Sequence, residues 1–210
     1  MVLTPELKER FMKIDPAQVG HFLTGGYMLP YIKPLAESFK IVGPAYTVRT
    51  LARDNCAIYY AIKHAPKGSV IVVDRGGDSV FACAGEIVAL TAKSSGMEGL
   101  VIDGHATDSV AIKRIGFPVF CSGLSPVTTN PVGGSGVVNI PVSCGGAVVN
   151  PGDIIFGDAD GVVVVPPEDA VRLLELAEAE TAEEEKIKEI IKQTGNVVWD
   201  VDERYLTHLK

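Results

Sequence analysis

The segment from Gly99 to Asp108 constrains the fold of this chain more than any other. It reads GLVIDGHATD, a short apolar run that ends in glycine and oxygen-bearing side chains just before a helical pattern resumes. Such a run is typical of a buried strand in a parallel sheet. Ligands of open α/β sheets collect outside the carboxyl ends of these strands, where helix N-termini present unpaired amides. We therefore expect chemistry around Asp103, Thr107 and Asp108.

A second corner of the same kind precedes it. The apolar run Val70–Val73 is followed by Asp74-Arg75-Gly76-Gly77-Asp78, and a helix is predicted from about Val80 to Ser95. Strand, helix and strand in this order predict a right-handed parallel crossover. The glycines of Gly76–Ser79 and of Gly85-Glu86 make a candidate anion cradle, because they let the backbone approach a ligand. Their spacing fits neither the Walker nor the dinucleotide fingerprint.

The chain before these corners predicts two short helices and the first strand. Thr4-Pro5 and Asp15-Pro16 are helix starts, because each places a capping residue before a proline. The stretch Ile41–Val48 is the first plausible strand, and its Gly43-Pro44 predicts an edge strand or a bulge. A helix is expected from Asp54-Asn55 to about Ala65.

The second half of the chain has a different amino-acid composition. From Gly123 to Pro166 it is rich in glycine, proline and valine with frequent turn signals, which predicts a section of short β-strands. A long helix is predicted from about Pro167 to Gln193. Its apolar stripe continues beyond what a domain of this size would cover. We therefore expect the helix either to bend back over its own sheet or to pack on another subunit.

Length and charge limit the classes of function. The 210 residues, 47% of them hydrophobic, suffice for one α/β domain over residues 1–210. The net charge of −7 argues against a surface for nucleic acid or an anionic membrane, because binding phosphates requires a basic patch. No apolar run is long enough to span a membrane and no signal peptide is recognisable, so we expect a cytoplasmic protein. The four scattered cysteines are expected to be buried thiols.

The candidate chemical residues lie at the predicted strand ends. Glu86, Asp103 and Asp108 are carboxylates suited to a hard divalent cation such as Mg²⁺, which binds through one or two of them and keeps several waters. The alternative for each of them, favoured when the residue is taken singly, is a helix cap or an exposed turn residue, and Asp108 is an especially good candidate for a cap. Arg75 and His105 follow neighbouring strands, where a solvated loop residue is the alternative to a ligand-binding one.

The order of these signals resembles one known family. The segments that carry the resemblance are Asp54-Asn55, Pro66–Asp74, Gly85-Glu86, Gly99–Asp108, Gly116–Phe120, Pro141-Val142 and Pro151–Pro166 with its ending DADGVVVVP. They are similar to the 4-hydroxy-4-methyl-2-oxoglutarate aldolases and the regulators of ribonuclease E activity, over roughly residues 15–195. The resemblance implies a swivelling β/β/α-type domain with a central βαβ section, a β-rich second half and a long C-terminal helix. It also implies trimers or hexamers with sites between subunits.

In the aldolase branch of this family the motif is an Asp, twenty residues, and then Arg-Asp. Here the matching positions read Glu86, twenty residues, and Thr107-Asp108. The resemblance therefore implies that Asp108 holds Mg²⁺ or Mn²⁺ and that Glu86 orders a catalytic water. The family also places a glutamate of the last helix in the active site of a neighbouring subunit, and Glu184 is the matching candidate.

Thr107 stands where the aldolases have an arginine that grips the carboxylate of pyruvate. A threonine offers one neutral donor in place of a bidentate guanidinium. Arg75 or His105 could supply the missing charge, or the substrate could differ. Amides of the helix start, near Ile87 and Val88, would bind the carboxylate of the substrate.

The sequence is compatible with two interpretations of function. The first is a metal-dependent lyase that cleaves a 4-hydroxy-2-oxo diacid or decarboxylates oxaloacetate, with pyruvate as product. The second is a non-catalytic regulatory protein whose oligomeric ring masks a partner. The carboxylates at Glu86 and Asp108 favour the enzyme, and Thr107 favours the regulator or a changed substrate.

Overall fold

The computed structural model describes residues 3–196. Its helices are α1 (Pro5–Lys13), α2 (Pro16–Gly20), α3 (Cys56–His64), α4 (Glu86–Ser94), α5 (Ser109–Ile115) and α6 (Ala170–Thr194). Its strands are β1 (Lys33–Pro34), β2 (Ile41–Thr50), β3 (Val70–Asp74), β4 (Ala82–Ala84), β5 (Gly99–Ala106), β6 (Val119–Leu124), β7 (Gly136–Val138), β8 (Val142–Cys144), β9 (Ala147–Val149), β10 (Ile154–Gly157) and β11 (Val162–Val165).

One mixed sheet organises this part of the chain. Its main path runs β1-β6-β5-β3-β2-β10-β11, and β4 and β7 pair at the sides of β5 and β2. Strands β2, β3, β5 and β6 are parallel, whereas β10 joins β2 antiparallel and leads to β11. The hairpin of β8 and β9 forms a separate two-stranded sheet. Parallel β3 and β5 with α4 between them confirm the predicted crossover unit, and both strand cores are buried because helices and strands cover both faces.

Two local predictions are wrong. The helix expected from Val80 begins only at Glu86, because residues 82–84 continue the sheet as β4 beside the end of β5. The Gly43-Pro44 pair lies in the interior of the sheet, since β2 is flanked by β3 and β10. Proline is tolerated there because successive backbone nitrogens of a strand face opposite neighbouring strands. The Ala45 N–H donates to the Asp153 carbonyl on the β10 side, so the Pro44 nitrogen faces β3. The pairing of β2 with β3 begins only at Ala45, so no hydrogen bond is lost at Pro44.

Two hydrophobic clusters hold the layers together. The larger one packs α3, α4 and α5 and the β8–β9 hairpin against the parallel strands. The smaller one packs α1, α2 and the first half of α6 against β10 and β11, with Phe11 against Phe156 and Leu173 and Leu174 fully buried. This arrangement confirms the expected α/β class with a β-rich second half and a long C-terminal helix. Within residues 3–196 no helix combines the length and the apolarity that crossing a bilayer requires.

Candidate functional site

Asp108 lies at the turn between β5 and α5. Its backbone is left-handed, with φ 53° and ψ 35°, which asparagine and aspartate adopt more readily than most residues. A helix cap is the alternative to a ligand at this position, but the side chain makes no capping bond to α5. Its Oδ2 instead accepts the backbone N–H of Glu86 at 2.9 Å, so Asp108 caps the N-terminus of α4 from the neighbouring corner. Asp108 therefore occupies, with its own carboxylate, the place where the sequence predicted an anion.

Gly85 makes this contact possible. A Cβ atom at this position would lie 2.5 Å from Asp108 Oδ2 and 2.8 Å from Thr107 Cγ2, too close for any side chain. The backbone of Thr107 also donates to Ala84 O at 2.9 Å, which ties the ends of β4 and β5 together. The other oxygen of Asp108, Oδ1, has one side-chain contact within residues 3–196, the Thr107 hydroxyl at 3.4 Å. Oδ1 is consequently the oxygen of Asp108 that is open to a ligand.

A cleft of about 230 Å³ opens beside Asp108. Its lining comes from the start of α3, from β4, from the first turn of α4 and from the loop after β6; it comprises Asn55, Tyr59, Ala82, Cys83, Ala84, Gly85, Ile87, Val88, Thr107, Asp108, Thr128 and Thr129. The structure thus brings together four of the predicted site residues, namely Ile87, Val88, Thr107 and Asp108. The amides of Ile87 and Val88 belong to the first turn of α4, where helix N–H groups have no intrahelical acceptor.

Asn55 is the cleft residue that sequence reasoning missed. The sequence pattern assigns Asn55 to a helix cap and to the family resemblance but not to the site. Its side chain makes no capping bond, because Asp54 Oδ1 accepts the N–H of Cys56 instead. Asn55 is 6% exposed, and its buried Oδ1 has no hydrogen-bond partner within residues 3–196. A buried amide oxygen without a partner is costly, so it indicates a ligand or a water. The sequence did contain a signal for this role. Asp54 and Asn55 are both capping residues, and one cap is enough for α3, so the other is available for a different role.

Glu86 lies on the other side of Asp108 from this cleft. Its carboxylate is half-exposed and contacts Arg114 of α5, with Oε1 3.4 Å from the guanidinium. A depression of about 430 Å³ joins these groups and is lined by Glu86, Asp108, Ser109, Val110, Ala111 and Arg114. Asp108 therefore lies between the cleft and a second, more open depression, and Glu86 belongs to the second one.

Arg75 does not reach either of them. It is 1% exposed, and its guanidinium donates to the carbonyls of Thr50, Ala52 and Asp54 and to Asp78 Oδ2. Gly104 is needed for this packing, because a Cβ atom there would lie 2.6 Å from Arg75 Cγ. Burial acts to raise the pKa of Asp78, but the N–H groups of Phe81 and Val80 and the guanidinium outweigh it and lower that pKa. Arg75 holds the loops around the site and is not positioned to grip a substrate.

His105 and Asp103 lie away from the lining of the depressions at Asp108. The His105 ring packs over Gly123, and its Nδ1 is buried without a partner in the described residues. Asp103 accepts the N–H of Gly145 at 2.9 Å and contacts the hydroxyl of Tyr31 at 3.2 Å. Burial and the nearby Asp103 carboxylate raise the pKa of Tyr31. Asp103 thus fastens the β8–β9 hairpin to the sheet.

Glu184 lies in the second half of α6, half-exposed and 4.0 Å from Lys188. Helix α6 packs on α1 and α2, so the structure does not bring Glu184 to the Asp108 cleft of the same chain. All four cysteines are free, and Cys83, Cys121 and Cys144 are buried as expected, whereas Cys56 is half-buried. Burial raises the pKa of the Cys83 thiol to about 12, which makes it a poor nucleophile.

The donor set suits a hard cation better than a soft one. Within the described chain no group of three or more His, Cys, Asp or Glu side chains converges as metal ligands. Zn²⁺ in proteins takes three or four such ligands, whereas Mg²⁺ uses one or two carboxylates and keeps its waters. The open Oδ1 of Asp108, beside a cleft that also presents Asn55 and three threonines, fits a cation of the second kind.

Comparisons with known proteins agree with this architecture. Residues 18–164 match the family model described as RraA-like: Aldolase/RraA. A protein of Halalkalibacterium halodurans named "Putative 4-hydroxy-4-methyl-2-oxoglutarate aldolase" is 43% identical over 154 residues, 73% of each chain. An uncharacterized protein of Methanocaldococcus jannaschii is 38% identical over 80% of this chain and 81% of its own. The crystal structure of Streptomyces coelicolor RraAS2, described as an unusual member of the RNase ES inhibitor RraA protein family, superposes with a TM-score of 0.78 at 25% identity, covering 90% of this chain and 98% of the other.

Proposed function

This chain belongs to the RraA-like family of aldolases and RraA proteins, and from that premise we propose that it is a divalent-metal-dependent lyase acting on a 2-oxo acid. The reaction would be retro-aldol cleavage of a 4-hydroxy-2-oxo diacid, decarboxylation of oxaloacetate, or both, with pyruvate as product. The observation that carries the proposal is the convergence of three groups at one cleft. They are the open Asp108 carboxylate, the first turn of α4 and the Asn55 amide oxygen, which has no partner within residues 3–196.

Asp108 would hold Mg²⁺ or Mn²⁺ through Oδ1, and waters and substrate would complete the coordination. The cation would polarise the carbonyl of the 2-oxo acid and stabilise the negative charge that develops when the carbon–carbon bond breaks. The N–H of Glu86 holds Oδ2 in place, so the open oxygen is oriented before any ligand arrives. Preorganisation of this kind removes a reorganisation cost from the reaction.

The other residues of the cleft would bind the substrate and move its proton. Amides of Ile87 and Val88 point from the start of α4 and suit a carboxylate. The buried Asn55 oxygen would accept a hydrogen bond from a substrate hydroxyl or a bound water. Glu86, half-exposed on the other side of Asp108, would orient the water that carries the proton.

The regulatory interpretation keeps one specific observation in its favour. Thr107 lines the cleft where the aldolases have arginine, and no Lys or Arg is part of that cleft lining. A neutral cleft binds a small carboxylate less tightly than a cationic one. A protein of the RraA type, which acts by binding and not by catalysis, would not need that charge.

The experiment is an assay for pyruvate released from oxaloacetate and from a 4-hydroxy-2-oxo diacid, with Mn²⁺ or Mg²⁺ and then with a chelator. We expect metal-dependent release that Asp108→Asn abolishes, together with Mn²⁺ binding measured by calorimetry. Asp103→Asn is the matched control, since it removes a carboxylate from the same strand that faces the β8–β9 hairpin. Pyruvate release that persists in the chelator, or unchanged Mn²⁺ affinity in folded Asp108→Asn, would reject the lyase.

We further propose that the protein assembles as a trimer or a multiple of three, in which Glu184 of one chain completes the site of another. The second half of α6 supports this, because the large apolar residues Ile190 and Ile191 are 45% and 41% exposed there. Sedimentation at micromolar concentration should give a multiple of three subunits. A stable, active monomer would contradict the shared site.

A further inference from the structure

We infer that Arg114 binds the distal carboxylate of a dicarboxylic substrate and thereby selects for it. The inference rests on the proposed function and adds a specificity-determining residue to it. Arg114 lies in the last turn of α5, outside the stretch that resembles the aldolase motif.

The positive charge near Asp108 comes from Arg114. Three depressions meet at Asp108, and among the described residues that line them Arg114 is the only lysine or arginine. Thr107 contributes no charge, and the Arg75 guanidinium is buried and committed to carbonyls and to Asp78. A substrate anion that extends outward from Asp108 would therefore meet one cation, which is Arg114.

The geometry allows that contact. Arg114 follows Asp108 by six residues along α5, which corresponds to about 9 Å of helix axis. One open depression is lined by Asp108, Ser109 and Ala111 and also by Glu86 and Arg114, so both ends of the substrate would lie in the same depression. A 2-oxo diacid held at Asp108 by its oxo end would direct its far carboxylate along this depression.

Arg114 is free to move toward such a group. Its side chain is 76% exposed, and within residues 3–196 its one ion-pair contact is with Glu86 at 3.4 Å. Exposed contacts of this kind contribute little and are easily exchanged. A carboxylate of the substrate would compete with Glu86 for the guanidinium. Binding of the correct substrate would thus also release Glu86 from Arg114, next to the water that Glu86 is proposed to orient.

The test compares two ligands of equal chain length that differ at the distal end. These are 2-oxoglutarate, which ends in a carboxylate, and 2-oxopentanoate, which ends in a methyl group. Their dissociation constants are measured by calorimetry with Mn²⁺ present. We expect the wild-type protein to prefer 2-oxoglutarate and Arg114→Gln to lower that preference by up to about fivefold, the upper value for an exposed ion pair. Arg114→Lys should restore part of it.

Lys113→Gln is the matched control, because it removes one positive charge from an exposed neighbouring position of the same helix. A general effect of net charge would lower the preference equally in Lys113→Gln, and that result would overturn the inference. Absence of a preference in the wild type, failure of both ligands to bind, or a preference that survives Arg114→Gln would also overturn it. The proposed function is tested separately, since Asp108→Asn should abolish binding of both ligands whatever Arg114 does.

Discussion

Replacing Arg75 with methionine should make the protein unfold more easily, because the guanidinium supports the loops around the cleft from inside. The side chain is 1% exposed and donates to the carbonyls of Thr50, Ala52 and Asp54 and to Asp78. Methionine keeps much of the aliphatic volume but donates no hydrogen bond. Four acceptors would lose this donor, and two of them, the carbonyls of Thr50 and Asp54, are buried. The Asp54 carbonyl would keep its hydrogen bond from the Thr50 hydroxyl.

Removing one partner of a buried charged pair costs about 3–5 kcal/mol. A domain of this length loses about 2–4 °C in Tm for each kcal/mol. The expected fall in Tm for Arg75→Met is therefore about 6–20 °C. Arg75→Lys should also be destabilised, because an ammonium cannot reach the same set of acceptors as the planar guanidinium.

The measurement is thermal unfolding by circular dichroism, with Arg49→Met as the matched control. Arg49 also lies at the end of a sheet strand, but its side chain is 51% exposed and its contact to Asp74 is 3.5 Å. An exposed pair contributes up to about 1 kcal/mol, so this control should lose less than about 4 °C. Equal Tm values for the two variants would refute the structural role. An unchanged Tm combined with lost substrate binding in Arg75→Met would instead show that Arg75 is a substrate ligand.

Three further outcomes follow from the same contacts. Asp108→Ala should lower Tm by about 4–8 °C, because it loses the cap on α4 and places alanine at φ 53°, at a cost of about 1 kcal/mol each. Asp108→Asn keeps both features, so an equal loss of Tm in the two variants would contradict the cap. Burial acts to raise the pKa of Asp54, but the N–H groups of Cys56 and Gly133 outweigh it and hold that pKa below its usual 3.8. The ionised Asp54 carboxylate therefore stabilises the fold fully above about pH 5, and this contribution is lost as the pH falls. The free energy of unfolding of Asp54→Asn, measured in urea, should depend less steeply on acid pH. In thiol labelling at about pH 8 the native protein should react first at half-buried Cys56, with Cys83 reacting only after denaturation, and early labelling of Cys83 would contradict its burial.

Much of the fold was predictable from local pattern. The buried strands β3 and β5 follow from short apolar runs, and α3 begins where Asp54-Asn55 precedes an amphipathic stretch. The start of α4 was misplaced by six residues, because the small residues of 82–84 suit a helix and a strand equally well and only the edge of β5 decides between them. The family was also recognisable from the sequence, since its motif consists of particular residues at a particular spacing.

What the sequence by itself determined was therefore the order of elements, the family and the positions of Glu86 and Asp108 at strand and helix ends. Only the tertiary structure decided how these groups are used. Asp108 caps a helix that begins 22 residues earlier, and Arg114 contacts a carboxylate 28 residues away. In its own segment Arg75 could be a solvated loop residue or a substrate ligand, and it is buried because carbonyls from another loop surround it. Local sequence encodes periodicity and capping, whereas partners distant in the chain meet only once the sheet has formed and their burial has been decided.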